Sequence, residues 1–288
     1  TQQFQMSRNY RSSREVVDAG NAIMNGSGAP GIATVEWSGK VEIVNADDVD
    51  LSPIERTRFG RDSRQSFHTL VRYVSRGVNA GESVTILARR NSPTGFYVKN
   101  LDELRSQVLN YLPTASADLV KTSTIHRFKG LEDHSVILVE GTADACPLIH
   151  PNWIFQRVFG TTLQEIYDEE KRLFYVGVTR ATTRSVILTS KTRLSPFVRQ
   201  LSELTRTKFG DSAAAPKVPN NPGVWTVQVM SDAGHSTSPT RNIHKLLRQN
   251  EYSFNNDSTK PWLSYWSKRI TDGKFAATHV RVEDWVSR

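Results

Sequence analysis

The segment Asp168–Thr189, which reads DEEKRLFYVGVTRATTRSVILT, is the stretch from which the fold of this chain is most directly predicted. Its apolar residues are spaced as on one face of a helix, and the predicted helix ends at Thr179–Ala181. The continuous apolar run Val186–Leu188 follows at once and predicts a buried strand. An arginine that packing holds at this junction, Arg180, can present a rigid and permanently charged set of donors to a phosphate.

A second informative segment stands near the start of the chain. Asn9–Ser12 reads NYRS, and a helical pattern of apolar residues follows it. Ser12 or Ser13 is the predicted N-cap of that helix, and Glu15 is close enough to complete a capping box.

A third segment, Thr124–Glu132, reads TIHRFKGLE. It lies between two predicted strands, Leu119–Ile125 and Ser135–Glu140. Taken alone, its histidine suits a satisfied core position and its glutamate a solvated loop. The order of the three segments along the chain favours a functional interpretation instead.

In that order, the three segments resemble the NYRS, TxHxxKGLE and GxTRA motifs of UvrD/Rep-type superfamily 1 helicases. The resemblance implies that Tyr10 stacks on the adenine of ATP, and that Arg11 and Arg180 reach its γ-phosphate. It also implies that Glu132 binds the nucleotide sugar, and Gly130 permits a tight turn beside the nucleotide. Charge spreads over the γ-phosphate oxygens during phosphoryl transfer, so Arg11 and Arg180 are predicted to be catalytic.

By the same resemblance, Thr124 and His126 face single-stranded DNA. Val84–Ala88 is a predicted buried strand and is similar to a family strand whose polar end faces DNA. Arg89, Arg90 and Asn91, which follow this strand, are therefore predicted DNA contacts. The alternative for the arginine pair is an ordinary solvated loop.

The sequence contains neither a GxxxxGK[ST] loop nor a DExx pair, and it begins with Thr1 rather than Met. We therefore expect the chain to be the C-terminal part of a longer protein and to supply its second RecA-like domain. An N-terminal RecA-like domain would hold most of the ATP and its Mg²⁺, so the isolated chain is expected to be inactive. Only Ser92–Lys121, with one predicted helix at Leu101–Tyr111, lies where large members of the family carry an inserted domain.

The composition permits an ordinary core and predicts no membrane contact. Hydrophobic residues make up 38% of the chain, and the mean hydropathy is −0.45. No stretch approaches the roughly 18 consecutive apolar residues of a membrane span. A single cysteine, Cys146, fits a reducing compartment, and the histidines lack metal-ligand spacing. The sequence therefore predicts a cytoplasmic, DNA-associated protein without a metal site of its own.

Charge and composition change towards the C-terminus. Of the net charge of +8, residues 191–288 carry +7, and four of the six tryptophans lie there. Residues 206–223 are rich in proline and small residues, which predicts a linker. We predict an α/β three-layer domain with a mostly parallel sheet over 1–205, and a small α+β module over 224–288.

The role of the module has two interpretations. Basic charge among tryptophans such as Trp262 and Trp266 suits phosphate attraction and base stacking. The same tryptophans could equally form the core of a small domain, and docking of a protein partner is a further possibility. Its predicted elements are a strand at Val224–Met230, a helix capped by Thr240, and a hairpin of Tyr252–Phe254 with Trp262–Trp266.

The predicted function of the whole protein is ATP-dependent translocation on single-stranded DNA and unwinding of duplexes. Movement from 3′ to 5′ is implied by the resemblance alone. The alternative is a non-enzymatic, helicase-like scaffold that binds DNA or a protein partner. The presence of Arg11, Glu132 and Arg180 argues against the scaffold, which has no need of them.

Overall fold

The computed structural model describes residues 8–47, 49–51, 55–56, 59, 64–112, 114–150, 160, 162–205, 209–210, 225–229, 244–249, 252–255 and 265–270. The chain forms two compact units. The larger unit consists of Thr1–Leu109 with Ser116–Pro219, and the smaller of Asn110–Ala115 with Asn220–Arg288. Most of the predicted linker, 206–223, lies outside the described residues, so the predicted domain limits stay a prediction.

The larger unit alternates strands and helices. Its helices are α1 (Arg14–Ile23), α2 (Gln65–Asn79), α3 (Leu101–Leu109), α4 (Leu163–Val178) and α5 (Pro196–Thr205). Its strands are β1 (Arg8–Asn9), β2 (Ile32–Ala33), β3 (Lys40–Asn45), β4 (Val84–Ala88), β5 (Val120–Thr124), β6 (Asp133–Leu138), β7 (Ala181–Thr189) and β8 (Phe209–Gly210). A short 3-10 helix spans Thr114–Leu119.

The main sheet is parallel, as predicted. Its strand order is β5-β4-β6-β7-β3-β8, and each neighbouring pair runs parallel. The short pair β1–β2, also parallel, forms a separate sheet. Phe209 and Gly210 fall within the stretch predicted to be a linker, yet they extend the sheet by pairing with Ile43 and Val44.

Helices cover both faces of this sheet. Strand β4 is buried along its whole length, which explains its unbroken apolar run. On one face, Ile43, Leu87 and Ile187 pack in a single cluster with residues of α1, α4 and α5. Side chains alternate along a strand, so Ile86 and Val186 point to the other face. Helix α2 contacts β4 and β6 there, which completes the predicted three-layer α/β arrangement.

Helix α4 is fixed at both ends. At its start, Thr162 Oγ1 accepts from the Glu165 N–H (3.1 Å), and the Glu165 carboxylate accepts from the Thr162 N–H (2.7 Å). This reciprocal pair is a capping box, and its hydrogen bonds lower the pKa of Glu165. At its end, the Thr179 N–H donates to the carbonyl of Tyr175 at 3.0 Å. The predicted helix and buried strand are thus confirmed, with Arg180 between them.

The smaller unit has an α+β composition, as predicted. It contains β9 (Trp225–Val229), α6 (His244–Gln249), β10 (Ser253–Asn255) and β11 (Tyr265–Ile270), and its strands form an antiparallel sheet in the order β10-β11-β9. Leu247 of α6 is buried, and its carbonyl accepts from the Tyr252 N–H at 2.9 Å. Trp262 and the predicted cap Thr240 lie outside the described residues, so both interpretations of the module stay open.

None of the helices in the described segments is both long enough and apolar enough to cross a lipid bilayer.

Candidate functional site

Three side chains from distant parts of the sequence meet at the N-terminal edge of the main sheet. Arg11 Nε lies 3.4 Å from Glu132 Oε2. Arg11 Nη2 donates to the carbonyl of Thr179 at 3.0 Å, across 168 positions of sequence. Glu132 directly precedes β6 and Arg180 directly precedes β7, so the same edge presents both. The structure therefore brings Arg11, Glu132 and Arg180 together.

The turn that carries Arg11 is held by hydrogen bonds to backbone groups. Asn9 Oδ1 accepts from the N–H groups of Arg11 and Ser12, each at 2.9 Å. The Ser13 N–H donates to the carbonyl of Thr182 at 2.8 Å, which joins the turn to the start of β7. An Asn side chain that accepts from the following N–H groups is a common way to stabilise such a turn. The turn thereby fixes Arg11 beside the end of α4.

The predicted capping box at α1 is wrong. Ser13 is the N-cap, but its side chain makes no capping hydrogen bond. The Glu15 carboxylate instead accepts from the Gly39 N–H at 2.8 Å, 24 positions along the chain. This long-range N–H donor takes the carboxylate that a capping box would use locally, and the bond ties α1 to the segment that leads into β3.

Arg180 is half-buried and anchored to backbone carbonyls. Its Nε donates to the carbonyl of Val176 at 3.2 Å, and its Nη1 donates to that of Leu131 at 3.3 Å. Burial lowers the pKa of Arg180, and the neighbouring positive charge of Arg11 lowers it further. An arginine nevertheless stays protonated in proteins. Two guanidinium groups and one carboxylate leave an excess of positive charge, which suits an anion.

The two remaining residues predicted for this site are in suitable conformations. Tyr10, next to Arg11, exposes 69% of its surface. Gly130 has φ 91°, which is in the left-handed region that glycine adopts readily. This conformation allows the chain to turn just before Leu131 and Glu132.

A second group of predicted residues lies at the opposite, C-terminal edge of the sheet. Strands β4 and β5 are parallel neighbours, and Ala88 is paired with Thr124. The Ile125 N–H continues this ladder by donating to the carbonyl of Ala88 at 3.0 Å. The segments that follow both strands therefore leave from the same edge, with Asn91 and His126 exposed. Ligands of open parallel sheets commonly bind at this edge.

Thr124 and Phe128 hold the turn that exposes His126. Thr124 Oγ1 accepts from the Arg127 N–H at 3.3 Å. Phe128 is buried in the core cluster that contains residues of α1 and α4. The turn is therefore anchored to the core through Phe128, and the side chains of His126 and Arg127 face solvent.

Arg89 makes an ion pair inside the protein rather than extending into solvent. Its Nη2 lies 2.6 Å from Glu170 Oε1 and its Nε lies 3.1 Å from Glu170 Oε2, and only 16% of its side chain is exposed. Burial works to lower the pKa of Arg89, but the hydrogen bonds and charge of Glu170 outweigh burial and raise it. This geometry argues against Arg89 as a phosphate contact, because its guanidinium is already engaged.

Glu140 is a positioning residue that the sequence did not reveal. Its side chain is 2% exposed and accepts from the N–H groups of Arg89 (2.8 Å) and Thr94 (3.0 Å). It also lies 3.7 Å from Arg90 Nη2. The carboxylate thus fixes the loop that carries Asn91. The available signal in the sequence was a carboxylate at the end of the apolar strand predicted over Ser135–Glu140.

Helix α4 connects the two edges. Glu170 meets Arg89 at the C-terminal edge, and Arg180 leaves the end of the helix at the N-terminal edge. Ten residues of helix span about 15 Å.

Within the segments that the structure describes, no group of three or more His, Cys, Asp or Glu side chains could hold a metal ion.

Residues 97–192 match the family described as UvrD-like helicase C-terminal domain, which confirms the predicted resemblance for this part of the chain. The matched range contains Thr124–Glu132 and Arg180 but not Asn9–Ser12. No curated protein matches the sequence. Among solved structures, the C-terminal domain of a possible DNA helicase from Lactobacillus plantarum WCFS1 is similar, with a TM-score of 0.37 and 12% sequence identity. The alignment covers 71% of this chain and 99% of that chain.

Proposed function

We propose that the chain is the C-terminal part of an ATP-dependent DNA helicase or translocase, and that it moves 3′ to 5′ on single-stranded DNA. The observation that carries the proposal is the convergence of Arg11 and Arg180 beside Glu132. A scaffold gains nothing from two like charges held together, since their repulsion costs free energy. A site that stabilises the charge of a transferring phosphoryl group needs such an arrangement.

The residues present fit ATP. Within the part of the chain that is described, Arg11 Nη1 and Arg180 Nη2 donate no hydrogen bond, so each guanidinium retains a donor for a phosphate oxygen. The exposed ring of Tyr10 offers a face for the adenine base. The Glu132 side chain is 52% exposed and can accept from a ribose hydroxyl.

In this proposal the nucleotide binds between two domains, and this chain supplies one side of the site. ATP with Mg²⁺ supplies the phosphoryl group and the metal charge, and a P-loop domain of the same protein would hold both. Arg11 and Arg180 would stabilise the charge that develops on the γ-phosphate, and Glu132 would keep Arg11 in position. Asn91, Thr124 and His126 would contact DNA at the other edge, with Glu140 holding the loop that carries Asn91.

The isolated chain 1–288 is expected to show no ATP turnover above background, because most phosphate contacts belong to the partner domain. The longer protein is expected to hydrolyse ATP in the presence of single-stranded DNA and to unwind a duplex with a 3′ tail. Phosphate release and strand displacement measure the two activities. Robust hydrolysis by 1–288, abolished by Arg180→Ala, would contradict the shared site, and unwinding only from a 5′ tail would contradict the polarity.

Replacement of His126 by alanine is expected to weaken the stimulation of ATP hydrolysis by DNA more than basal hydrolysis. His126 is exposed at the DNA-facing edge and lies away from the arginines, so the phosphate site stays intact. The DNA concentration for half-maximal stimulation should rise roughly tenfold, as for the loss of one charge-assisted hydrogen bond. Arg199→Ala, which removes an exposed cation from α5, is the control. Equal effects of the two variants would show that His126 does not contact DNA.

A further inference from the structure

Tyr97 combines high exposure with a strained backbone. It exposes 85% of its surface and has φ 53°, in the left-handed region that side chains other than glycine rarely adopt. Such a conformation costs free energy and persists only where surrounding contacts impose it. An aromatic ring held in water by a strained backbone suggests a ligand that binds the ring.

The contacts that impose this conformation lie on both sides of Tyr97. Phe96 and Val98 are buried, so the chain turns inward immediately before and after the tyrosine. The carbonyl of Phe96 accepts from Arg64 Nη1 at 2.7 Å. The carbonyl of Val98 accepts from Ser92 Oγ at 2.9 Å. These anchors hold the ring outward, and its position does not depend on packing of the ring itself.

The same contacts place Tyr97 at the C-terminal edge of the sheet. The bond from Ser92 to Val98 brings the end of the loop back beside its start, next to Asn91. The Thr94 N–H within the loop donates to the buried carboxylate of Glu140. Tyr97 therefore stands on the rigid loop that presents Asn91, at the edge that also exposes His126.

We propose that Tyr97 is a stacking platform for a base of single-stranded DNA that crosses this edge. The proposal rests on the proposed function, which places DNA there. It adds a contact to the base, whereas Asn91 and His126 are polar groups suited to the backbone. Every base has a π-face, so one exposed ring can bind along a strand without reading sequence.

The surroundings of the ring favour a base over a protein partner. A large contiguous apolar patch commonly marks a protein interface. The exposed residues near Tyr97 in the loop are instead polar or small, namely Asn91, Thr94, Gly95 and Lys99. Arg90, with 41% of its side chain exposed and Nη2 3.7 Å from Glu140 Oε1, lies beside them. A single aromatic face amid polar and basic groups suits a nucleotide, which offers a ring and a phosphate together.

The test measures binding of the chain 1–288 to a labelled oligothymidylate, and to the same sugar–phosphate strand without bases, by fluorescence anisotropy at low salt. Tyr97→Ala is expected to weaken binding to the base-bearing strand by about five- to one-hundred-fold and to leave binding to the abasic strand unchanged. Tyr97→Phe keeps the ring and should bind as the wild type does. Trp37→Ala removes an exposed aromatic near the start of β3, at the opposite edge, and should have no effect.

Each other result contradicts the proposal in a distinct way. If Tyr97→Ala binds both strands as the wild type does while His126→Ala binds more weakly, Tyr97 does not stack on a base. The proposal that DNA binds at the C-terminal edge is then retained. If Tyr97→Ala weakens binding to both strands equally, the ring does not stack on a base. If the wild type binds neither strand, both this proposal and the DNA contacts of the proposed function fail. Thermal melting of each variant verifies that the fold is retained, which the exposure of Tyr97 leads us to expect.

Discussion

Replacement of Arg180 by alanine, in the protein that also carries the phosphate-binding half, is expected to lower kcat for ATP hydrolysis by on the order of 10³-fold or more. The carbonyls of Val176 and Leu131 fix the Arg180 guanidinium, so the orientation of its remaining N–H donors is set in the absence of nucleotide. Such preorganised charge acts mainly in the transition state. The loss should therefore appear in kcat, with binding of DNA in the absence of nucleotide unchanged.

Arg172→Ala is a matched control for this prediction. Arg172 is an exposed arginine on α4, the helix that precedes Arg180, so its removal changes the net charge equally without touching the site. Arg180→Lys tests geometry separately from charge, because lysine retains the charge but lacks the planar set of donors. Arg11→Ala should lower kcat as Arg180→Ala does, and the double variant should lose less than the product of the two effects. A near-normal kcat for Arg180→Ala would show that the arginine is structural.

The fold of the larger unit was largely predictable because buried parallel strands have continuous apolar runs. Val84–Ala88 was predicted as a strand and is β4 with the same limits. The predicted strand Leu119–Ile125 is β5, Val120–Thr124, and the predicted helix Leu101–Tyr111 ends at Leu109. The differences lie at element ends, where hydrogen bonding rather than apolar pattern sets the limits. Phe209–Gly210 was missed because two residues carry no pattern.

The sequence predicted which residues form the candidate site, but it did not predict which side chains they contact. The three motifs identified Arg11, Glu132 and Arg180, and the structure brings them together. The partner of Arg89 could not be found, because Glu170 lies 81 positions away. The direction in which a loop arginine points depends on which carboxylate the fold places near it. No periodicity in the sequence indicates that Glu170 lies beside Arg89.

The same reasoning applies to Glu140 and Tyr97. A glutamate at the end of an apolar strand is ordinarily solvated. Glu140 anchors the loop that carries Asn91 only because Thr94 returns towards β6, where its N–H donates to the Glu140 carboxylate. Tyr97 lies between Phe96 and Val98, and the three together read as one apolar run that predicts burial. Its exposure follows from a local backbone reversal, which the residue types do not favour.

Replacement of Arg72 by alanine is expected to destabilise the chain by about 3–5 kcal/mol, as for the loss of one partner from a buried ion pair. Arg72 on α2 and Glu55 are each 1% exposed in their side chains. Arg72 Nε and Nη2 donate to the two oxygens of Glu55 at 2.6 and 2.8 Å, and Nη2 also donates to the carbonyl of Asp50 at 2.7 Å. The variant leaves the Glu55 carboxylate buried without this cation. Urea unfolding of wild type and variant gives the difference in free energy.

Arg76 provides the control, since it lies one turn further along α2 and pairs with Glu42 at 3.0 Å with 27% of its side chain exposed. Glu42 also keeps Lys40 as a partner at 2.9 Å, so Arg76→Ala should cost no more than about 1 kcal/mol. Arg72→Met combined with Glu55→Leu removes both charges and should recover much of the stability lost in Arg72→Ala, because the penalty arises from a buried carboxylate that has lost the Arg72 cation. A domain is stable by only about 5–15 kcal/mol, so Arg72→Ala removes a large share of the total. A loss below about 1 kcal/mol in Arg72→Ala would mean that water reaches Glu55, and that this pair contributes little to stability.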